Sequence, residues 1–316
     1  MVCKNCELIF PIKEGIFIIL SKETRNYFLE YPLILKIKEN LRSSVNISYV
    51  QKTLNLIESL KGSSTWEWED EKYWTKQYEM KGIDNQRKNW NDRIWQREEL
   101  TKNLTSRFSL DNVSILDIGC GEGQNFRELL SAKCSLDTQY IATDISFSAL
   151  KMNQSRNPHK NSVYVLCSED YELPFHTGSI DVICYFGILH HTRNKSENVN
   201  KDTRLLKKQN YIVICESVDR SILTSSNLEM SKHEEHVNKE KLFFVLSKQK
   251  SQILYLKEES TPFFILSMLI FSKIITNNKS AFMLTSKIDI LVGKTIGKIV
   301  PHFKPGEIQL LLGSNT

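Results

Sequence analysis

The sequence predicts an α/β protein, a mostly parallel sheet wound with helices on both faces, and three observations carry that prediction. Short runs of branched apolar residues, at 113–118, 139–143, 162–166, 180–186 and 211–216, alternate with stretches of helical spacing, the rhythm of parallel βαβ units. The first run ends in a glycine-rich turn, ILDIGCGEGQN over 115–125, and a helix is expected at 125–131 with Phe126, Leu129 and Leu130 on one face. The second run ends on a carboxylate, Asp144, with Ser146 placed to cap a helix over 146–153. Right-handed crossovers would bring the loops after these strands to one edge of the sheet.

Composition sets the bounds. The 316 residues suffice for one large domain with appendages. The chain is 41% hydrophobic and 25% charged, as soluble globular proteins are. A net charge of +5 with no long Lys/Arg block permits an anionic partner without indicating one. Seven scattered cysteines suit a reducing compartment better than a disulfide framework. No basic region with an apolar core and a cleavage site opens the chain. The best membrane candidate, 263–275, contains Lys273 and is shorter than the ~20 residues that a spanning helix needs. A cytoplasmic protein without a transmembrane segment is expected, with peripheral membrane contact left open.

Around the core the pattern is less regular. Cys3 and Cys6 have the spacing of half a tetrahedral zinc site, and no second pair lies nearby. The segment resembles the second half of a small zinc-ribbon module, which ends in a similar FPI-x-x-GI run, so residues 1–20 are read as a ribbon-like remnant and zinc as unlikely. A helical arm follows over 21–106, with a linker at 61–64, a cluster of Trp and Tyr residues and a long helix at 86–106. The core is placed at 107–261, with a helix at 239–247 and a sixth strand at 252–257. Two apolar-faced helices form an insertion at 262–300, and 301–316 supplies the final strand.

The glycine spacing separates possible ligands. Dinucleotide folds use GxGxxG, whereas Gly119, Gly121 and Gly123 alternate and follow Asp117. No Gly-Lys-Ser/Thr follows, which excludes a P-loop. The Asp-x-Gly-x-Gly-x-Gly form resembles the first motif of class I S-adenosylmethionine (SAM)-dependent methyltransferases. Downstream, CSEDYELPF resembles that family's GDAEELPF, and IDVICYFGILHH its FDVV…LHH. The resemblance spans residues 115–216, about a third of the chain, and implies a Rossmann-like sheet of seven strands whose last is antiparallel. One departure is the segment before strand five: the family has LKPGG, and this chain has LKKQN at 206–210, with Asn210 able to take the left-handed conformation.

The resemblance assigns roles residue by residue. Asp117, with Gly119, Cys120, Gly121 and Gly123, faces the amino-acid end of SAM. Asp144 takes the ribose hydroxyls and Ile145 the adenine face. Glu169 matches the family's adenine-binding acid, and Asp170 beside it competes for the part. Tyr185, Phe186 and Gly187 form a wall beneath the sulfonium. Tyr73 and Tyr78 match a "YW…Y" helix that closes over SAM. His190 and His191 stand where acceptors approach. Either has the titration range of a base for a protonated nucleophile, and a structural role for the first is the competing reading.

The expected activity is methyl transfer from SAM to a small-molecule or lipid-like acceptor. An rRNA or tRNA base methyltransferase is an alternative that the weak charge disfavours, and a non-catalytic scaffold is a second. Acceptor, attacked atom and oligomeric state are not legible.

Overall fold

In the computed structural model the described residues are 12–19, 76, 91–157, 159–167, 173, 175–192, 195–217, 237–247, 251–259, 278–299 and 307–314. They form one nine-stranded sheet. β1 (Ile12–Lys13) and β2 (Ile16–Ile18) are a hairpin. The core strands are β3 (Ser114–Ile118), β4 (Gln139–Asp144), β5 (Ser162–Leu166), β6 (Ile180–Phe186), β7 (Leu206–Ser217), β8 (Ser251–Glu259) and β9 (Glu307–Ser314). Their spatial order is β1-β2-β5-β4-β3-β6-β7-β9-β8. β2 through β7 run parallel, and β9 lies antiparallel between β7 and β8. The strand order reverses between β4–β3 and β6, which opens a crevice at the carboxyl ends of β3 and β6.

Two apolar layers cover the sheet. On one face, Ile115, Val182, Cys184 and Phe186 pack against Leu100 and Leu104 of α1 (Asn91–Thr105), Phe126 and Leu130 of the turn after β3, and Leu150 of α2 (Phe147–Arg156). On the other, Leu116, Ile183 and Tyr185 meet Val199 of α3 (Lys195–Asp202) and Leu242 and Leu246 of α4 (Lys239–Ser247). The alternation follows from the two-residue period of a strand buried on both sides. α5 (Lys279–Ile299) packs on β8 and α1.

Four features depart from expectation. Residues 12–18 belong to the sheet instead of standing apart as a ribbon. Glu14 and Gly15 take φ 52° and 79°, the left-handed pair of a tight hairpin turn, and Ile16 and Ile18 are fully buried beside β5. The sheet therefore has nine strands among the described residues, not seven. The helix expected at 125–131 is a π-helical turn, Phe126–Leu130, that runs into a 3-10 turn at Ser131–Lys133. Strand five begins at Leu206, and its register jumps from Ile180↔Leu206 to Val182↔Tyr211, so LKKQN forms a bulge within the strand. Asn210 donates its amide to the Lys207 carbonyl there.

Candidate active site at the carboxyl edge of β3, β4 and β6

The chain leaves β3 through Gly119, Gly121 and Gly123, all with φ between 54° and 73°. Two of them are held by close neighbours. A Cβ on Gly119 would lie 2.2 Å from the Ile188 side chain, and one on Gly123 would lie 2.1 Å from the Asn153 amide oxygen. No side chain fits at either point.

Asp117 is the buried centre of this turn. Its Oδ2 accepts from the Tyr140 hydroxyl at 2.9 Å, and Tyr140 in turn accepts from the Asn153 amide at 3.1 Å. Asn153 also donates to the Cys120 thiol at 3.3 Å. Phe126 stacks on Tyr140 with ring centroids 3.7 Å apart, a contact worth ~0.5–1.5 kcal/mol beyond its area. The other oxygen of Asp117, Oδ1, is buried without a hydrogen-bond partner. Burial pushes the Asp117 carboxyl up to about 7, against the pull of the Tyr140 bond and the Arg97 guanidinium and with the push of the Asp144 charge. A buried acceptor left open in this way is costly unless something donates to it.

Asp144 ends β4 and clasps the turn. Its Oδ2 accepts from Gly121 N and its Oδ1 from Ser146 N, both at 2.8 Å. Ser146 caps α2 through Ala149 N, as expected. Burial raises the Asp144 carboxyl to about 6, and the backbone N–H bonds oppose that rise. An ionised carboxylate has about four acceptor positions, so the backbone bonds do not exhaust its capacity to accept from a ligand's hydroxyl. Ile145 beside it is buried.

The end of β6 lies beside the turn after β3. Phe186 is buried on the face shared with Ile115, and Gly187 follows with φ 71°. Tyr185 turns to the other face and donates its hydroxyl to Asp202 at 2.7 Å, away from the face that Phe186 shares with Ile115. Arg97 of α1 reaches into this corner, 95% shielded from solvent. Its guanidinium lies 5.5 Å from the Phe186 ring centre, donates to Asn125 Oδ1 and, through Nε, to the Cys215 thiol at 3.3 Å. A Cβ on Gly187 would be 3.6 Å from Arg97 Nη2 and 4.0 Å from His190 Cε1.

His190 and His191 form the 3-10 turn after β6, with ring centroids 3.8 Å apart. Glu216, buried near the end of β7, accepts from Leu189 N at 2.7 Å and holds His190 Nδ1 at 2.5 Å. Since an ionised carboxylate only accepts, Nδ1 carries the proton and Nε2 is the basic nitrogen.

Glu169, Asp170, Tyr73, Tyr78, Cys3 and Cys6 lie outside the described residues. Among the described residues no cluster of His, Cys, Asp and Glu has the makings of a metal site, and no helix is long and apolar enough to cross a membrane. Among the described residues, Cys120, Cys134, Cys167, Cys184 and Cys215 form no disulfide. The structure thus brings together Asp117, the glycine turn, Asp144, Ile145, Phe186, Gly187 and His190. It adds Arg97, Asn125, Tyr140, Asn153 and Glu216, which no spacing marked. Only the buried polar character of Glu216 at a strand's end, the position already singled out for Asp117 and Asp144, offered a signal.

Comparison with known proteins agrees with this geometry. Residues 116–214 match the profile of a methyltransferase domain family. No curated protein matches. Among solved structures, phosphoethanolamine N-methyltransferase 2 of Haemonchus contortus superposes with a TM-score of 0.51 at 18% identity, covering 70% of this chain and 53% of that one. A putative methyltransferase of Bacillus halodurans gives 0.48 at 15% identity, over 69% and 99% of the two chains. The plantazolicin methyltransferase BamL gives 0.47 at 19%, over 78% and 91%. The profile thus covers about a third of the chain, and the superposition on the Haemonchus contortus structure shows a shared fold.

Proposed function

We propose that the protein transfers a methyl group from SAM to a small-molecule or lipid-like acceptor at the crevice between β3, β4 and β6. The observation that carries the reading is the pairing of opposite charges at the glycine turn. Asp117 Oδ1 is an unpartnered buried acceptor, and Arg97 is a buried cation close enough to lower the Asp117 carboxyl. An α-amino acid zwitterion complements such a pair: its ammonium bonds the carboxylate and its carboxylate the guanidinium. Asp144 would take the ribose hydroxyls and Ile145 the adenine. Glu169 or Asp170 is assigned the adenine amino group, and Tyr73 and Tyr78 the lid.

Bound SAM supplies an electrophilic methyl group, and little more than alignment is asked of the protein. Phe186 and Gly187 keep water and bulk away from the approach. Gly187 leaves His190 beside the entry, and Glu216 fixes its ring so that Nε2 is free to accept a proton from a hydroxyl, phenol or ammonium nucleophile. Glu216 is a positioning residue in this scheme.

Calorimetry with SAM tests the site. Asp144→Ala should abolish measurable binding, and Asp144→Asn, which keeps one acceptor for the turn, should weaken it by at least ~tenfold. Unchanged affinity in both variants would overturn the assignment.

A further inference from the structure

α5 is packed inside out. Its inner face, toward β8 and α1, carries Phe282, Ser286 and Asp289, exposed by 1%, 2% and 0%, while Leu284, Ile288 and Leu291 stand 61%, 42% and 62% exposed. Those three lie at i, i+4 and i+7, one stripe along the helix. A helix docked on a globular core ordinarily turns that stripe inward. Three large aliphatic side chains in register on the outside mark a contact surface.

The charge around the stripe says what it contacts. The helix sequence has four lysines, Lys279, Lys287, Lys294 and Lys298, and a single acid, Asp289. With Asp289 buried, no carboxylate of the helix remains to face outward. Lys279 and Lys287 border a groove of about 390 Å³ floored by Met283 and Leu284. Lys279 also pairs with Glu98 of α1 at 2.6 Å, and the Lys287 side chain is exposed. Aliphatic side chains beside the exposed Lys287, on a helix with no acid facing outward, fit a surface that is apolar beneath and anionic on top. A second copy of the same helix fits poorly, because a self-complementary contact would set lysine against lysine with no acid of the helix to answer.

We propose that the outer face of α5 docks on an anionic lipid bilayer, with Leu284, Ile288 and Leu291 entering the headgroup–acyl boundary and Lys287 meeting phosphate. The contact bears on the crevice through α1. Phe282 meets Trp95 edge-on at 5.7 Å, and Arg97, two residues on, sits against Phe186. Bilayer binding needs neither SAM nor acceptor, so this inference and the methyltransferase reading fail separately.

The test is co-sedimentation of the full chain with phosphatidylcholine vesicles, with and without about 30 mol% phosphatidylserine. The expected result is binding to the anionic vesicles that weakens as salt rises. Leu284→Asp combined with Leu291→Asp should lower the partition coefficient at least ~tenfold, with an unchanged melting temperature because both positions are exposed. Lys287→Glu should lower it in anionic vesicles alone. No binding by the wild-type chain, or equal binding by the double variant, would overturn the proposal. So would sedimentation velocity showing a dimer that the double variant dissociates, since a second copy would then own the face.

Discussion

At Asp117 a single carboxyl gathers four pressures: burial and the Asp144 charge favour its neutral form, and the Tyr140 bond and the Arg97 guanidinium favour its anion. The balance leaves it near neutral pH, which makes proton linkage visible. A carboxyl whose folded value is raised stabilises the folded chain below its unfolded range, and that contribution is lost as pH climbs through the folded value. Asp117 and Asp144 both have this sign. The ligand-free protein should thus melt at a higher temperature near pH 5 than near pH 8, other groups aside. Binding an ammonium at Asp117 Oδ1 needs the anion, so SAM affinity should move the other way and strengthen on the order of tenfold from about pH 6 to about pH 7, with release of a proton. Calorimetry in two buffers of different ionisation enthalpy reads that proton directly. A flat profile would mean that Asp117 does not meet the ligand. Arg97 gives the complementary outcome: Arg97→Ala should cost SAM about 1.5–3 kcal/mol as a lost charge-assisted bond, and Arg97→Lys should recover only part, because a point charge cannot reproduce the fork that reaches Asn125 and Cys215.

Among the elements, the turn after β3 is the least tolerant. Gly123 combines a φ of 73° with the Asn153 amide pressed against its Cα. Gly123→Ala should destabilise by roughly 1–3 kcal/mol or more, measured as a shift in the urea midpoint, and should loosen the Asn153–Tyr140–Asp117 chain as well. The β1–β2 hairpin has a different job. Without it β5 would be an edge strand of branched apolar residues, SVYVL, and an open edge of that kind invites pairing with another chain. The hairpin covers that edge with two short strands, and Lys13 of the outermost lies 4.9 Å from the Phe147 ring. Glu14 at its turn pairs with Lys151 of α2.

Across the molecule, legibility followed the range of the interactions. β3 to β7 and β9 were readable because fully buried strands are short branched runs, and the glycine turn because only alternating φ-positive residues make that bend. Asp144 and Ser146 were readable since a cap acts within three residues. What escaped depended on remote partners. The 12–18 hairpin had its turn signal in Glu14-Gly15, yet its place beside β5 depends on a strand 150 residues later. The side on which Tyr185 emerges follows from register, and Asp202 then rewards it. Arg97 looked like one more charge on a polar helix until the fold folded it under Phe186. Glu216 waited on His190, and the bulge at 206–210 on the mismatch between β6 and β7.

One consequence lies in how β9 is seated. Its residues Ile308 to Leu312 are wholly enclosed, flanked by β7, which ends ninety residues earlier at Ser217, and by β8, which ends at Glu259. A wedge of that kind cannot go in until both jaws stand ready, so it belongs to the late stages of folding, when distant loops have already closed. Until it arrives, β7 shows a bare rail of amide groups, and a chain stalled at that point would be prone to stick to its neighbours.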